Sequence, residues 1–174
     1  SEFSPGYFDF ATQTPAGRND PLFRLYKVSP LYPEGNSDFD PWLSWPVAHG
    51  APWVDVNNNS VYDPPADHPL MKGDQNLFCS FTDGYRDSSV FSSYTPPMRA
   101  EIHLYVWAKQ ASICADAINY EWKIINKNVS GWNDMSAAVW SDVDLGSALN
   151  DMAGTDSVLN LAYGYNATNN DPVY

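Results

Sequence analysis

Apolar and polar residues alternate along several short stretches of this chain. In 99–109, for example, Ile102, Leu104 and Val106 alternate with polar or aromatic residues. A period of two places successive side chains on opposite faces of the backbone and therefore predicts half-buried β-strands. Stretches with this pattern, bounded by Gly, Pro, Asn or Asp, lie at 23–28, 76–81, 99–109, 117–126, 136–140 and 158–165.

Helical periodicity is almost absent, and only 147–152 has a pattern that fits a single helical turn. Several strands separated by turn residues, with so little helix, predict an all-β fold in the form of an antiparallel β-sandwich. The spacing of the strands favours a jelly roll. We expect residues 1–174 to form a single domain in which 1–20 is an extended arm.

Residues 29–75 differ from the rest because they are rich in proline and asparagine and lack a clear period. A long loop inside a compact domain usually carries function or an internal brace. Within it, residues with oxygen-bearing side chains recur at close intervals in 55–67. Ca²⁺ is bound by six to eight oxygens, which predicts a calcium loop here. The predicted ligands are Asp55, Asn57, Asn59, the carbonyl of Val61, Asp63 and Asp67.

The calcium loop is not that of an EF-hand. Ser60 stands where an EF-hand requires Gly, Ala66 stands at the last ligand position, and Pro64-Pro65 prevents the helix that should follow. A calcium loop between strands remains possible. The alternative is a solvated turn, because Asn and Asp also favour turns through hydrogen bonds to their own backbone.

A second group of acidic and amide side chains follows 136–140. The glycines in this stretch allow the chain to fold back, which makes a second cation site one interpretation and a turn with capped backbone groups the other. A pair of carboxylates, Asp142 with Asp144 or Asp144 with Glu101, also has the composition of a glycoside hydrolase site, although we favour a non-enzymatic function. The candidate metal ligands are Asp142, Asp144, Asn150, Asp151 and Asp156.

Aromatic residues suggest a third kind of site. In 99–109, Ile102, Leu104 and Val106 form one predicted face, which we expect in the core. The opposite face, with Tyr105 and Trp107 beside Glu101 and His103, is either a platform for sugar rings or the inner face of a second layer. The candidate ligand-binding aromatics are Trp42, Trp45, Trp53, Tyr105 and Trp107.

Composition narrows the class of partner. The chain has a formal net charge of −12, which disfavours nucleic acid and anionic membrane surfaces, and it lacks a stretch of about 20 apolar residues that could insert into a membrane.

Cys79 and Cys114 are either a disulfide of an exported protein or two buried thiols. His49, His68 and His103 are too widely spaced to indicate a zinc site. We expect an extracellular protein, and a natural polypeptide that continues beyond Tyr174.

Three segments resemble a module of large exported bacterial surface proteins, which often end in a type IX secretion sorting domain. They are Trp140-Ser-Asp-Val-Asp-Leu-Gly146, Asn150-Asp-Met-Ala-Gly-Thr-Asp156 and Leu161-Ala-Tyr-Gly-Tyr-Asn166, with Lys123-Ile-Ile-Asn-Lys127 upstream. The stretch from Gly50 to Pro64 followed by Gly73-Asp-Gln75 is similar to the Asp-x-Asn-x-Asn insertion of that family, in which Gly is expected in place of Ser60. The resemblance implies an extracellular, β-rich, calcium-associated module and supplies no catalytic residues.

These observations predict a calcium-stabilised structural module of a surface or filament protein. Its expected partners are other domains or copies of the same protein, and its expected role is adhesion or assembly. In the filament form of this hypothesis, residues 1–20 donate a strand to a neighbouring copy. Polysaccharide binding is the alternative.

Overall fold

The structure is a computed structural model. It describes residues 2–30, 40–85, 96–110, 113, 115–139, 141, 144–146 and 149–169. The chain divides into two compact units, Ser1–Trp132 and Asn133–Tyr174, and each is described by itself. Antiparallel strand pairs dominate the described residues, which confirms the all-β prediction. The sandwich and the single domain stay predictions.

The first unit is organised around a five-stranded antiparallel sheet. Its long strand β7 (Gln75–Tyr85) pairs on one side with β8 (Ala100–Ala108). On the other side β7 pairs with β1 (Glu2–Pro5) near its end and with β4 (Tyr26–Val28) near its beginning. Strand β9 (Asn119–Asn126) pairs with β8 and is the last strand of the sheet.

The period-two stretches at 76–81, 99–109 and 117–126 therefore correspond to the three longest strands of this sheet. The prediction of a strand from residue 23 is wrong in its first half. A 3₁₀ turn occupies Pro21–Phe23, and its backbone is capped by Asp20, whose side chain accepts a hydrogen bond from the Leu22 N–H at 2.9 Å. The proline fixes the backbone for this turn, so the strand begins only at Tyr26.

Short elements complete the first unit. Strand β2 (Tyr7–Asp9) and strand β3 (Thr14–Ala16) form a hairpin. Within the long proline-rich segment, helix α1 (Asp40–Leu43) and a 3₁₀ turn (Val47–His49) are followed by a two-stranded ladder. That ladder consists of β5 (Trp53–Val54) and β6 (His68–Pro69), and the predicted calcium loop connects them.

The sheet of the first unit has two different faces. The covered face carries Phe78, Ser80, Glu101, His103 and Tyr105, and the proline-rich segment packs against it. The main cluster of buried apolar side chains lies on this face: Tyr26, Val28, Trp45, Ala51, Phe78 and Tyr105.

The second face carries the alternate residues of the same strands. Ile102 and Val106 are buried there, as expected, at 8% and 9% exposure. Aromatic side chains near the sheet edges are not buried: Phe3 is 57% exposed and Trp122 is 49% exposed. The sheet therefore has one face covered by its own chain and one face that is partly open to solvent.

The second unit contains a hairpin of β10 (Asp151–Asp156) and β11 (Leu161–Asn166). Two predictions are wrong here and a third is wrong in part. Residues 136–139 are not a strand, and 151–152 begin β10 where a helical turn was expected. Of the strand predicted at 158–165, residues 158–160 form the hairpin turn and β11 begins only at Leu161. The hairpin turn is fixed by Asp156, whose Oδ1 accepts N–H groups of Val158 and Leu159 at 2.9 and 3.0 Å. No helix within the described ranges is long and apolar enough to span a membrane.

Candidate calcium loop and its surroundings

Residues 55–61 form consecutive turns that are closed by side-chain oxygens. Asp55 Oδ1 accepts the Asn59 N–H at 3.2 Å, and Asp55 Oδ2 accepts the Ser60 N–H at 2.8 Å. Asn57 Oδ1 accepts the Asn59 N–H at 3.1 Å, and Asn59 Oδ1 accepts the Val61 N–H at 2.7 Å. The short side chains thus hold their own backbone, as expected for Asp and Asn in turns.

Ser60 takes the backbone conformation that a glycine would adopt most easily. Its φ is 62°, and the φ of Asn58 is 58°, both in the left-handed region. The absence of Gly at this position therefore does not prevent the turn, although a residue with a Cβ is strained there. The hydrogen bond from Ser60 to Asp55 holds the peptide in place.

The side chains of the loop also converge. The Asn57 amide nitrogen lies 3.2 Å from both carboxylate oxygens of Asp63, and the Asn59 amide nitrogen lies 3.5 Å from Asp63 Oδ2. Asp55 joins the same group through its bond to the backbone of Asn59. Four predicted ligands, Asp55, Asn57, Asn59 and Asp63, are therefore brought together on one exposed loop.

Asp67 has a different position from the other predicted ligands. It is fully buried, its Oδ1 accepts the Val56 N–H at 2.9 Å, and its Oδ2 accepts the Asp63 N–H at 3.2 Å. Burial acts to raise the pKa of this carboxyl, but the hydrogen bonds from Val56 and Asp63 outweigh it and lower the pKa. Asp67 thus fastens the two ends of the loop to each other from inside the protein, which is a bracing role and not that of an available ligand.

The loop continues into a turn at 64–66 and then into β6. The Asp63 carbonyl accepts N–H groups of Ala66 and Asp67 at 3.1 and 3.3 Å, which closes this turn. No helix follows the loop, in agreement with the exclusion of an EF-hand.

Aromatic side chains anchor the layer that contains the loop. The Tyr62 hydroxyl donates to the Trp42 carbonyl at 2.7 Å, and the Tyr62 ring meets Trp53 edge-on with centroids 5.5 Å apart. Trp45 Nε1 donates to the Pro52 carbonyl at 2.8 Å. From the sheet, the Tyr105 hydroxyl donates to the Leu70 carbonyl. The conformation of the loop is thereby linked to the packing of the core.

Asn76 joins the end of this layer to the sheet, and sequence reasoning did not identify it. Its side chain is fully buried, and its Oδ1 accepts N–H groups of Lys72 and Gly73, both at 2.9 Å. Its amide nitrogen donates to the Gly73 carbonyl at 2.8 Å. The only signal in the sequence is a polar residue at a core-facing position of a strand.

The five aromatics considered for sugar binding all pack within or against the core. Trp45 and Tyr105 are 4% and 3% exposed, and Trp42, Trp53 and Trp107 are partly buried against the same cluster. The platform interpretation of the 99–109 strand is therefore wrong for Tyr105, because the proline-rich segment covers its ring. This geometry gives the five residues a packing role and no support for a stacking role.

In the second predicted metal cluster, Asp151 and Asp156 are not brought together. Asp151 and Asp156 are the first and last residues of β10, so their backbones are about 17 Å apart at the usual rise of a strand. Asp151 Oδ2 accepts the Leu145 N–H at 3.0 Å, and Asp156 caps the hairpin turn. The interpretation as backbone-capping turns is the correct one for these two residues.

The other members of that cluster add little to a metal site. Asp144 is exposed, and Asn150 lies before the strand, with its side-chain nitrogen 3.5 Å from Thr168 Oγ1. Asp142 lies outside the described residues. Within the described part of the chain, no three His, Cys, Asp or Glu side chains are placed to hold a metal ion. A cation at 55–67 would therefore depend on the two asparagines as well as on Asp55 and Asp63.

Glu101 is internal, and this excludes it as one of a pair of accessible catalytic acids in this structure. It is 4% exposed, its Oε2 accepts the Phe8 N–H at 3.1 Å, and the same oxygen lies 3.3 Å from Lys127 Nζ. Burial acts to raise its pKa, but hydrogen bonds from His103 and Phe8 and the charge of Lys127 prevail, so the pKa lies below its ordinary value. Glu101 is an ionised structural residue.

The thiol of Cys79 is free and half-buried on the second face, and burial raises its pKa. Cys114 lies outside the described residues.

Comparison of the chain with known protein families, with curated proteins and with solved structures gives no match in any of the three. The class that the observations establish is therefore that of an all-β protein with an oxygen-lined loop.

Proposed function

We propose that this chain is an extracellular structural module whose covering layer is stabilised by Ca²⁺, and that it serves adhesion or assembly in a surface or filament-forming protein. The observation that carries the proposal is the convergence of Asp55, Asn57, Asn59 and Asp63 on one loop. The negative net charge, which disfavours nucleic acid and anionic lipid as partners, is consistent with it.

The donor set of the loop fits a hard cation. Carboxylate and amide oxygens are the ligands that Ca²⁺ prefers. Each carbonyl-type oxygen has two lone pairs, so Asn57 Oδ1 and Asn59 Oδ1 can accept a backbone N–H and still bind a cation. The residues that would hold the ion are Asp55, Asn57, Asn59, Asp63 and the Val61 carbonyl. The ion would neutralise the carboxylates of Asp55 and Asp63.

The location of the loop explains why an ion there would stabilise the protein. The loop joins β5 to β6, whose flanking residues include Trp53 and Tyr62 of the layer that covers the core. An ion that binds only the folded loop adds RT ln(1 + [Ca²⁺]/Kd), or about 2.7 kcal/mol at a hundredfold excess over Kd. Adhesion or assembly would then use a surface whose shape the ion helps to maintain.

The test is thermal unfolding of the chain in CaCl₂ and in EDTA, with MgCl₂ as a comparison. We expect CaCl₂ to raise Tm by about 5–10 °C relative to EDTA. Asp63→Ala should abolish that difference, because it removes the acid on which both asparagine side chains converge. Asp9→Asn is the matched control, since Asp9 also caps a turn, with Oδ1 accepting N–H groups of Ala11 and Thr12 at 2.8 and 3.1 Å, but lies outside the loop.

An equal Tm in CaCl₂ and EDTA, together with no heat of Ca²⁺ binding in calorimetry, would refute the calcium part of the proposal. A calcium effect that survives Asp63→Ala would place the ion elsewhere. The location is tested separately, by surface labelling of intact cells that produce the natural protein.

A further inference from the structure

Strand β9 is largely exposed. Residues 120–124 are all exposed, and no described strand pairs with the outer edge of β9. Three of the exposed side chains are large and apolar: Tyr120, Trp122 and Ile124 are 57%, 49% and 41% exposed. A long apolar edge strand with free backbone N–H and C=O groups is a template for pairing with another strand.

The apolar side chains of β9 belong to the second face of the sheet. Trp122 stands opposite Leu104, and its ring meets Phe81 edge-on at a centroid distance of 6.3 Å. Tyr120 and Trp122 lie nearly parallel, with an interplanar angle of 13°. Phe81 in turn meets Phe3 at 5.7 Å. The apolar surface therefore runs across the sheet and ends at the free edge of β9.

Charges alternate with these apolar residues on the opposite face of β9. Glu121 stands opposite Tyr105 and Lys123 stands opposite His103, and both charged residues are exposed. Glu121 also forms an ion pair with Lys72, yet its side chain is 55% exposed. Glu121 and Lys123 lie one residue before and one residue after Trp122. Two antiparallel copies of β9 can therefore place each negative charge opposite a positive one.

Charge selects one register among those centred on Glu121, Trp122 or Lys123 for two antiparallel copies of β9. Residues directly opposite each other in an antiparallel pair point to the same face of the sheet, and neighbouring residues along a strand point to opposite faces. A two-fold axis normal to the sheet must therefore pass through one residue position, because an axis between two positions would pair residues from opposite faces. An axis at Glu121 places Glu121 against itself, and an axis at Lys123 places Lys123 against itself. An axis at Trp122 places Glu121 of each copy opposite Lys123 of the other. Opposite charges directly across a strand pair are favourable and like charges are not.

We propose that β9 pairs antiparallel with β9 of a second copy of this chain about a two-fold axis at Trp122. In this register Tyr120 stands opposite Ile124 and Trp122 opposite Trp122, so the apolar second faces of the two sheets become continuous. Pairing also satisfies the backbone groups at the free edge of β9. The occupant of this edge is thus a second copy, because the charge pattern is matched by the same strand in reverse.

This inference rests on the assembly part of the proposed function and is independent of calcium. It differs from assembly through the first twenty residues, because Glu2–Pro5 pair with β7 of their own chain. Calcium is tested by Tm and self-association by mass, so each can fail without the other.

The test is sedimentation velocity over a wide range of chain concentrations, in CaCl₂ and in EDTA. We expect a concentration-dependent dimer of twice the chain mass. Glu121→Lys and Lys123→Glu should each raise the dimer dissociation constant at least about tenfold, because each replaces both attractive pairs by repulsive ones. The double variant Glu121→Lys/Lys123→Glu restores complementarity and should restore the dimer. Lys109→Glu, an equal charge change at an exposed position outside β9, is the control.

Thermal unfolding of each variant distinguishes loss of pairing from loss of the fold. A chain that stays monomeric at every concentration overturns the proposal. A dimer that persists in both single variants, or a folded double variant that stays monomeric, overturns the register and with it the assignment to β9. Large open assemblies in place of a dimer contradict the closed two-fold arrangement.

Discussion

Nε2 of His103 lies 2.8 Å from Oε1 of Glu101, and both side chains are buried on the covered face of the sheet. The Glu101 carboxylate also accepts the Phe8 N–H and faces Lys127. This polar cluster joins strands β2 and β8 to the residue that follows β9. Its charges are satisfied within the protein, which is how a buried carboxylate is tolerated.

Replacing Glu101 by Gln should destabilise the first unit strongly. The substitution removes the negative charge that faces Lys127 and leaves one oxygen fewer to accept the hydrogen bonds from Phe8 and His103. A buried donor without an acceptor costs about 1–3 kcal/mol. Urea unfolding followed by circular dichroism measures the change. Glu121→Gln, which affects the exposed pair with Lys72, is the control and should cost less than about 1 kcal/mol. Similar losses in the two variants would contradict the structural importance of the buried cluster.

Stability should fall when the pH is lowered through the range in which His49 titrates. His49 packs against Tyr7 and Phe23, with ring centroids 5.2 and 4.6 Å away, and burial lowers its pKa below 6.5. The unfolded chain therefore takes up the proton first, so the free energy of unfolding decreases as the pH falls below about 6.5.

The measurement is urea unfolding of the protein and of His49→Gln between neutral pH and mild acid. The variant should show a smaller loss of stability over this range, and an unchanged pH profile would exclude His49 as its source. At lower pH, protonation of Glu101 acts in the same direction. Its folded-state pKa is below its ordinary value of 4.5, so its contribution is present above that pH and is lost as the pH falls through the lowered pKa.

Gly50→Ala should disrupt the contact between the proline-rich layer and the sheet. Gly50 has a φ of 88°, and a Cβ at this position would lie 2.0 Å from Cε1 of the buried His103 ring. Strain and overlap together predict a loss of more than about 2 kcal/mol in thermal or urea unfolding. Gly131→Ala is the control, because no atom lies within 4 Å of a Cβ there. Equal effects at both positions would show that the layer does not approach His103 this closely.

Ser60→Gly should preserve the candidate calcium loop and increase its stability by up to about 1 kcal/mol, since glycine adopts a φ of 62° without strain. Ser60→Val should have the opposite effect, because a branched side chain is strongly disfavoured in this conformation. Calcium titration calorimetry and Tm in CaCl₂ measure both variants. Weaker calcium binding in Ser60→Gly than in Ser60→Val would contradict the loop geometry.

The longest strands could be predicted from the sequence because their period of two is a local property of the backbone. The same pattern located β8 and β9 to within a few residues. It failed where a local turn competes with the strand, as at Pro21 and Asp156, whose effects on the backbone outweigh the alternation. The side chains that close the turns of the candidate calcium loop were also predictable, because Asp55, Asn57 and Asn59 act on neighbours within five residues.

Other features required the tertiary structure. Asp67 resembles a ligand by spacing, but it is buried beneath the loop and holds the backbone at Val56 and Asp63. Asp151 and Asp156 are close in sequence, but an extended strand separates them. Glu101 contacts Phe8 from 93 residues away along the chain, and no local pattern indicates such a contact.

By itself, the sequence determined that the chain forms antiparallel strands, which residues share each face of a strand, and that Asp and Asn side chains close the turns at 55–61. Only the tertiary structure decided which face the chain covers. Alternation assigns side chains to two faces, and in β8 both faces carry large apolar groups, so local sequence does not distinguish them. The covered face is the one against which Trp45 and Ala51 pack, and these residues come from a distant segment. Strand β9 stays exposed beside this layer, which reaches it through the ion pair of Lys72 with Glu121.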